Sequence, residues 1–156
     1  MDQHTTTRVP VNDEYAALVG KAVYVFAYYE WTIIYIIEYL ENGFVSDYSR
    51  GKPMTSGAVL SKLKQVIKSL SSLPNNVTQS ELDRCTDNFA RLIVKRNALI
   101  HAHPCTDDDG SQILSYQASP TKPLPDMKWP KDEVEKIIAE IDEVACESKE
   151  TLEKLR

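Results

Sequence analysis

The chain of 156 residues predicts an all-α fold: a four-to-five-helix up-and-down bundle with a small loop or β-hairpin inserted before the last helix. Three observations lead there. Apolar residues recur at three- and four-residue spacing through four long stretches, the period of a helix that buries one face. Each stretch opens on a residue suited to a helix start, namely Asn12, Thr55 or Ser56, Thr78, and Pro130. Glycine is scarce, with 5 residues, and most of the 8 prolines lie outside the periodic stretches. Residues 12–156 read as a single helical domain, preceded by a flexible N-terminal arm over 1–11.

The first helix runs from Asn12, with Asp13 and Glu14 facing the positive end of its dipole, to about Glu41, where Asn42-Gly43 stops it. Its segment Val23–Leu40 is apolar enough to raise the question of a membrane span. Glu30 stands in the middle of that segment, where a charge costs about 2.5–3.5 kcal/mol at bilayer centre. Tyrosines fill the segment rather than its ends, so it is expected to be a core helix. At 100° per residue, Val19, Val23, Phe26, Ala27, Ile33, Ile34 and Ile37 fall on one stripe with Glu30 at its centre. Tyr24, Tyr28, Trp31, Tyr35 and Tyr39 fall opposite. Two coverings fit the aromatic side: another subunit, or the C-terminal helix.

Phe44–Pro53 is expected to be a loop. The second long helix carries Val59, Leu60, Leu63, Val66, Ile67 and Leu70, with Lys62, Lys64 and Lys68 on its wet face, and Pro74-Asn75-Asn76 ends it. Thr78 and Glu81 form a capping box for the next helix, whose buried stripe is Leu82, Cys85, Phe89, Leu92, Ile93 and Ile100. His103 precedes a proline and leaves the helical region. Asp107–Gly110 is a turn, Ile113–Tyr116 a short strand, and Ala118–Lys128 a proline-rich loop. The last helix, Pro130–Leu155, turns Val134, Ile137, Ile138, Ile141, Val144, Ala145 and Leu152 to the core.

Composition sets limits on function. The net charge of −5 gives no general attraction to nucleic acid, so any RNA contact needs a local basic cleft. Arg84, Arg91, Lys95 and Arg96 make the third long helix the place for one. Cys85, Cys105 and Cys146 are odd in number and lack metal-ligand spacing, which reads as reduced thiols in a cytoplasmic protein and implies neither metal nor cofactor. Residues 1–11 are polar and lack an apolar core, so a secretory signal is not expected there.

The chemistry concentrates in Ile93–Pro104, IVKRNALIHAHP. Asn97 and His101 are i and i+4 on one face. Arg96 lies about 140° round the wheel from His101, a gap its long stem can bridge. Arg96 brings a permanently charged fork of donors matched to phosphate oxygens. His101 moves a proton near neutral pH, and Asn97 orients either the imidazole or the substrate. Glu30 is assigned to hold Arg96 in a buried pair, with Arg91 or solvent as the other readings. Arg91, Lys95 and His103 are weaker candidates for substrate contact, and Tyr116 either stacks on a base or is buried.

The string Arg96-Asn97-Ala98-Leu99-Ile100-His101 resembles the R-x4-6-H motif of the HEPN superfamily, including the polar residue after the arginine. The long first helix with Glu30, the Thr55-Ser56-Gly57 helix start and the final helix extend the resemblance over roughly Asn12–Leu155. The resemblance implies a helical domain, typically a homodimer through a helical interface, with Arg96 and His101 as the catalytic pair. It implies a metal-independent endoribonuclease that directs the RNA 2′-OH onto phosphorus and leaves 2′,3′-cyclic phosphate and 5′-OH ends. One histidine cannot act comfortably as both acid and base, so a second copy is expected to help. A toxin or antiviral-defence role, with an antitoxin or regulatory protein as partner, follows from the same resemblance. In the toxin subgroup with R-x4-H-x-Y, tyrosine stands where this chain has His103. Some members are inactive modules that bind nucleotides or proteins.

Overall fold

Asn12 starts the first helix as its side chain suggests: its Oδ1 accepts the Tyr15 N–H at 3.2 Å and its carbonyl accepts that of Ala16 at 3.0 Å. In the computed structural model, residues 7–50, 54–121 and 124–156 are described. Along them run α1 (Asp13–Leu40), α2 (Phe44–Ser49), α3 (Ser56–Ser69), α4 (Gln79–Ile100), β1 (His103–Thr106), β2 (Gln112–Tyr116), β3 (Met127–Trp129) and α5 (Lys131–Leu155). The fold is mostly helical, with five helices and a small antiparallel sheet before the last. No helix among the described residues is long and apolar enough to cross a membrane. Of the arm expected over 1–11, residues 1–6 lie outside the described residues, while Val9, Pro10 and Val11 line a small apolar cavity with Val19 and Leu114.

Contacts divide the chain into two compact units, Met1–Phe26 with Val94–Glu140, and Ala27–Ile93 with Ile141–Arg156. Neither is contiguous in sequence, and α1, α4 and α5 each contribute residues to both.

In the first unit, the sheet has the order β1-β2-β3, with His103 opposite Ser115, Cys105 opposite Ile113, and Leu114 opposite Trp129. The β1–β2 turn closes through Gly110 N–H to the Asp107 carbonyl at 2.9 Å. Gly110 has a φ of 85°, a value that a side chain would resist. Asp107 accepts from Lys128 at 2.9 Å, so the aspartate run forms an ion-paired turn. β3 corrects the expected loop over Ala118–Lys128, of which 122–123 lie outside the described residues. Tyr15 ties the pieces together. Its hydroxyl donates to the Trp129 carbonyl at 2.6 Å and accepts the Leu114 N–H at 3.0 Å.

In the second unit, Ile33, Ile34, Ile36 and Ile37 of α1 are fully buried with Leu63, Leu82, Phe89, Leu92 and Ile141. Tyr29 meets Phe89 edge-on with ring centroids 5.6 Å apart. The Thr78–Glu81 capping box is formed in both directions, at 2.9 and 3.1 Å. Two expectations are corrected. Phe44–Ser49 is a helix rather than loop, because a side chain from outside caps it. Gly43, at φ 101°, offers no side chain there, and the Glu38 carboxylate accepts the Val45 N–H at 3.0 Å instead. α3 stops at Ser69, well before Pro74, with Leu70 already extended. The Leu70 N–H closes the last turn on the Ile67 carbonyl at 3.3 Å.

Candidate active site

The C-terminal turn of α4 leaves its last carbonyls without helical partners. Three of them are nevertheless satisfied. The Asn97 carbonyl accepts the His101 N–H at 2.9 Å and that of Leu99 accepts Ala102 at 3.3 Å. Between them, the Ala98 carbonyl accepts the indole N–H of Trp129 at 3.1 Å. Trp129 is itself buried and held by Tyr15 through its own carbonyl. The helix therefore ends on a fixed frame, and the backbone of His101 leaves from it.

On this frame the motif residues take up distinct environments. Ala98 and Leu99 are buried, while His101 is exposed. Asn97 is half-buried one turn earlier. The Arg96 guanidinium lies 4.7 Å from the centroid of the Phe26 ring, within range of a cation–π contact. Phe26 is 3% exposed, so its ring is a rigid support. The sequence placed Phe26 on a buried stripe of α1 but did not mark it as the arginine's support. That contact joins residues 70 positions apart, and no local pattern signals it.

The other candidates are distributed more widely. Lys95 donates to Glu140 at 2.8 Å, so its charge faces a carboxylate of α5. His103 is exposed on β1. In the second unit, Glu30 accepts a short hydrogen bond from Ser56 in the first turn of α3, a partner the sequence did not suggest. Arg91 donates to Asn88 at 3.4 Å, and Arg84 pairs with Glu147 at 3.2 Å. Arg84 and Lys95, half of the basic set expected on α4, thus meet acids of α5. Tyr116 is buried, which removes it as an exposed surface on which a base can stack.

One cleft away from the motif has the wrong charge for RNA. A 530 Å³ cleft in the first unit is lined by Glu14, Asp107, Asp109, Asp132 and Glu135, with Lys131 already paired to Glu14 at 2.6 Å. A phosphate backbone would be repelled there. No protein-family model, curated protein or solved structure matches the chain.

Proposed function

We propose that this chain is a HEPN-type endoribonuclease of the cytoplasm that cleaves RNA without a metal, acting as a toxin or antiviral effector under a partner protein's control. The observation that carries the reading is the end of α4: an arginine braced on a buried aromatic ring, followed by an exposed histidine whose backbone is tied to a hydrogen-bonded frame. RNA brings its own nucleophile. As the 2′-OH oxygen bonds to phosphorus, its proton passes to a base and the bond to the 5′ oxygen breaks. The leaving oxygen takes a proton from an acid, and the ends are a 2′,3′-cyclic phosphate and a 5′-OH. His101 fills one of the two proton-transfer roles. Arg96 stabilises the negative charge that gathers on the phosphoryl oxygens. Asn97, on the same helical face, orients the imidazole or the substrate.

A second reading, an inactive HEPN module that binds nucleotides or a protein, draws support from one observation. Lys95 and Arg84 are engaged with Glu140 and Glu147, which reduces the positive field available to RNA. One assay separates the two. Wild type, Arg96→Ala and His101→Ala are incubated with mixed RNA in EDTA and the 3′ ends are mapped. The proposal expects cyclic-phosphate ends from wild type, with a loss of about 10²–10³ in rate for Arg96→Ala, the scale of removing a donor to a transition-state oxyanion, and about 10²–10⁴ for His101→Ala, the scale of losing a general acid or base. No cleavage by wild type, or equal cleavage by all three, overturns it.

A further inference from the structure

The first turns of α1 and the hairpin β1–β2 border an apolar pocket that the proposed RNA chemistry does not use. Tyr15, Ala16 and Val19 fall within an arc of about 100° on α1, so they present one wall. Pro104 stands opposite Leu114 across the hairpin, which puts both side chains on one face of it. Gln112, two residues before Leu114, shares that face. Val9, Pro10 and Val11 form the third wall, and the space between the walls measures 330 Å³. We infer that this pocket is a binding site for a small uncharged molecule, an apolar body the size of two fused rings with one hydrogen-bond donor, and that Tyr15 relays its occupancy to the end of α4.

The walls define the ligand. No residue lining the pocket is charged, although 26% of the chain is, so an ion would lose its water there without a counter-charge. Pro10 and Pro104 have no backbone N–H to give, and the Tyr15 hydroxyl is already engaged by Trp129 and Leu114. The Gln112 amide donates to the Thr106 hydroxyl at 2.9 Å, which leaves its oxygen as the acceptor for one ligand donor. Val9 is 67% exposed at the rim, apolar surface that a ligand would remove from water. The volume is about twice that of the roughly 150 Å³ cavity that holds one benzene ring. Indole meets all three requirements: two fused rings, no charge and a single N–H.

The link to α4 runs through one side chain. Tyr15 lines the pocket, and its hydroxyl donates to the Trp129 carbonyl at 2.6 Å. The Trp129 indole N–H in turn holds the Ala98 carbonyl at 3.1 Å. A ligand packed against Tyr15 therefore bears on the frame from which His101 leaves. Under the nuclease reading the pocket is a regulatory site of that enzyme, while the binding itself does not depend on the reading.

Titration of the nitrogen-15-labelled full chain with indole, followed by its amide and indole N–H resonances, tests this. Binding is expected with a Kd of the order of 0.1–1 mM, the range for a ligand of so few atoms. The signals of Ala16, Leu114 and the Trp129 indole N–H are expected to move. Ala16→Phe, which fills the pocket from an exposed position, is expected to weaken binding about tenfold, the scale of overpacking. Gln112→Met is the second variant should Ala16→Phe fail to fold. Wild type is expected to prefer indole to 1-methylindole, which lacks the donor, by about fivefold, the scale of one hydrogen bond. Gln112→Met is expected to lose that preference. Tyr15→Phe is expected to bind indole about as wild type does yet leave the Trp129 signal unmoved. No shift in wild type, or shifts that persist in a folded Ala16→Phe at the same concentrations, overturns the site. Indole-3-acetate bound as tightly as indole overturns the uncharged ligand, and a preference kept in Gln112→Met overturns the role of that residue. A Trp129 signal that stays still in wild type, or moves equally in Tyr15→Phe, overturns the relay. His101→Ala is expected to bind indole normally, so failure here is distinguishable from failure of the nuclease reading.

Discussion

Trp129→Phe tests the frame beneath His101. The substitution keeps an aromatic ring but removes the indole N–H that reaches the Ala98 carbonyl at 3.1 Å. Ala98 is 2% exposed, so water cannot readily replace that donor, and an orphaned buried carbonyl costs about 1–3 kcal/mol. The smaller ring also leaves a void of a few tens of cubic ångströms, worth about 1 kcal/mol more. The total is about 3 kcal/mol, or a fall in Tm of about 6–12 °C for a chain of this size. Thermal and urea unfolding, followed by circular dichroism, measure it. If His101 depends on the frame, RNA cleavage falls with it at temperatures where the variant remains folded. A Trp129→Phe protein within about 2 °C of wild type would refute the claim that this bond anchors the end of α4.

Phe26→Leu removes the ring under Arg96 and is expected to lower the cleavage rate about tenfold, the scale of a partly buried cation–π contact, while Phe26→Tyr retains most of it. A kcat unchanged in Phe26→Leu would refute the support role. Thr78→Ala breaks the capping box and is expected to cost about 1 kcal/mol in urea unfolding without affecting RNA cleavage. Stability is expected to fall at alkaline pH. Burial raises the Tyr15 and Tyr29 hydroxyls and the Cys85 thiol above their ordinary values. Their contribution is complete below the unfolded values and is lost as the pH climbs through 9 and 10 towards the folded ones. A melting temperature that is flat from pH 8 to 11 would contradict this.

What the sequence revealed was local. The Thr78–Glu81 box and the Asp107–Gly110 turn each span four residues, so both were legible in their own stretch. The two apolar faces of α1 were legible from period alone, and the aromatic one is exposed, so the C-terminal helix does not cover it. Distant partners were not legible. β3 is only three residues within a proline-rich stretch, and it exists because β2 supplies its hydrogen bonds. The same holds for the candidate site. The motif residues were visible as a string, but Phe26 and Trp129, which brace its two ends, lie far away in sequence and carry no motif.

The helix missed at Phe44–Ser49 links this lesson to the aromatic side of α1. Six residues do not sustain a helix alone, so α2 depends on packing and on its cap. The cap is Glu38, whose carboxyl is held below its ordinary range first by the Val45 N–H and then by those of Gly43 and Phe44. α2 in turn carries Tyr48, the ring that stands edge-on to Trp31. Glu38→Ala should therefore loosen α2 and release Trp31 without touching any residue of that side. Loss of the cap is expected to weaken the packing of Tyr48 against Trp31. Glu38→Gln keeps an acceptor and should weaken it less. Acid acts in the same direction. Because the folded pKa is depressed, the cap's contribution is present above the unfolded value and is lost as pH falls through the folded one. Near-ultraviolet circular dichroism of wild type and Glu38→Ala, which reads the packing of Trp31 and Tyr48, at neutral pH and near pH 4 checks both arms. If Glu38→Ala keeps the wild-type signal, Glu38 does not hold α2 and Tyr48 against Trp31, and packing alone sustains that short helix.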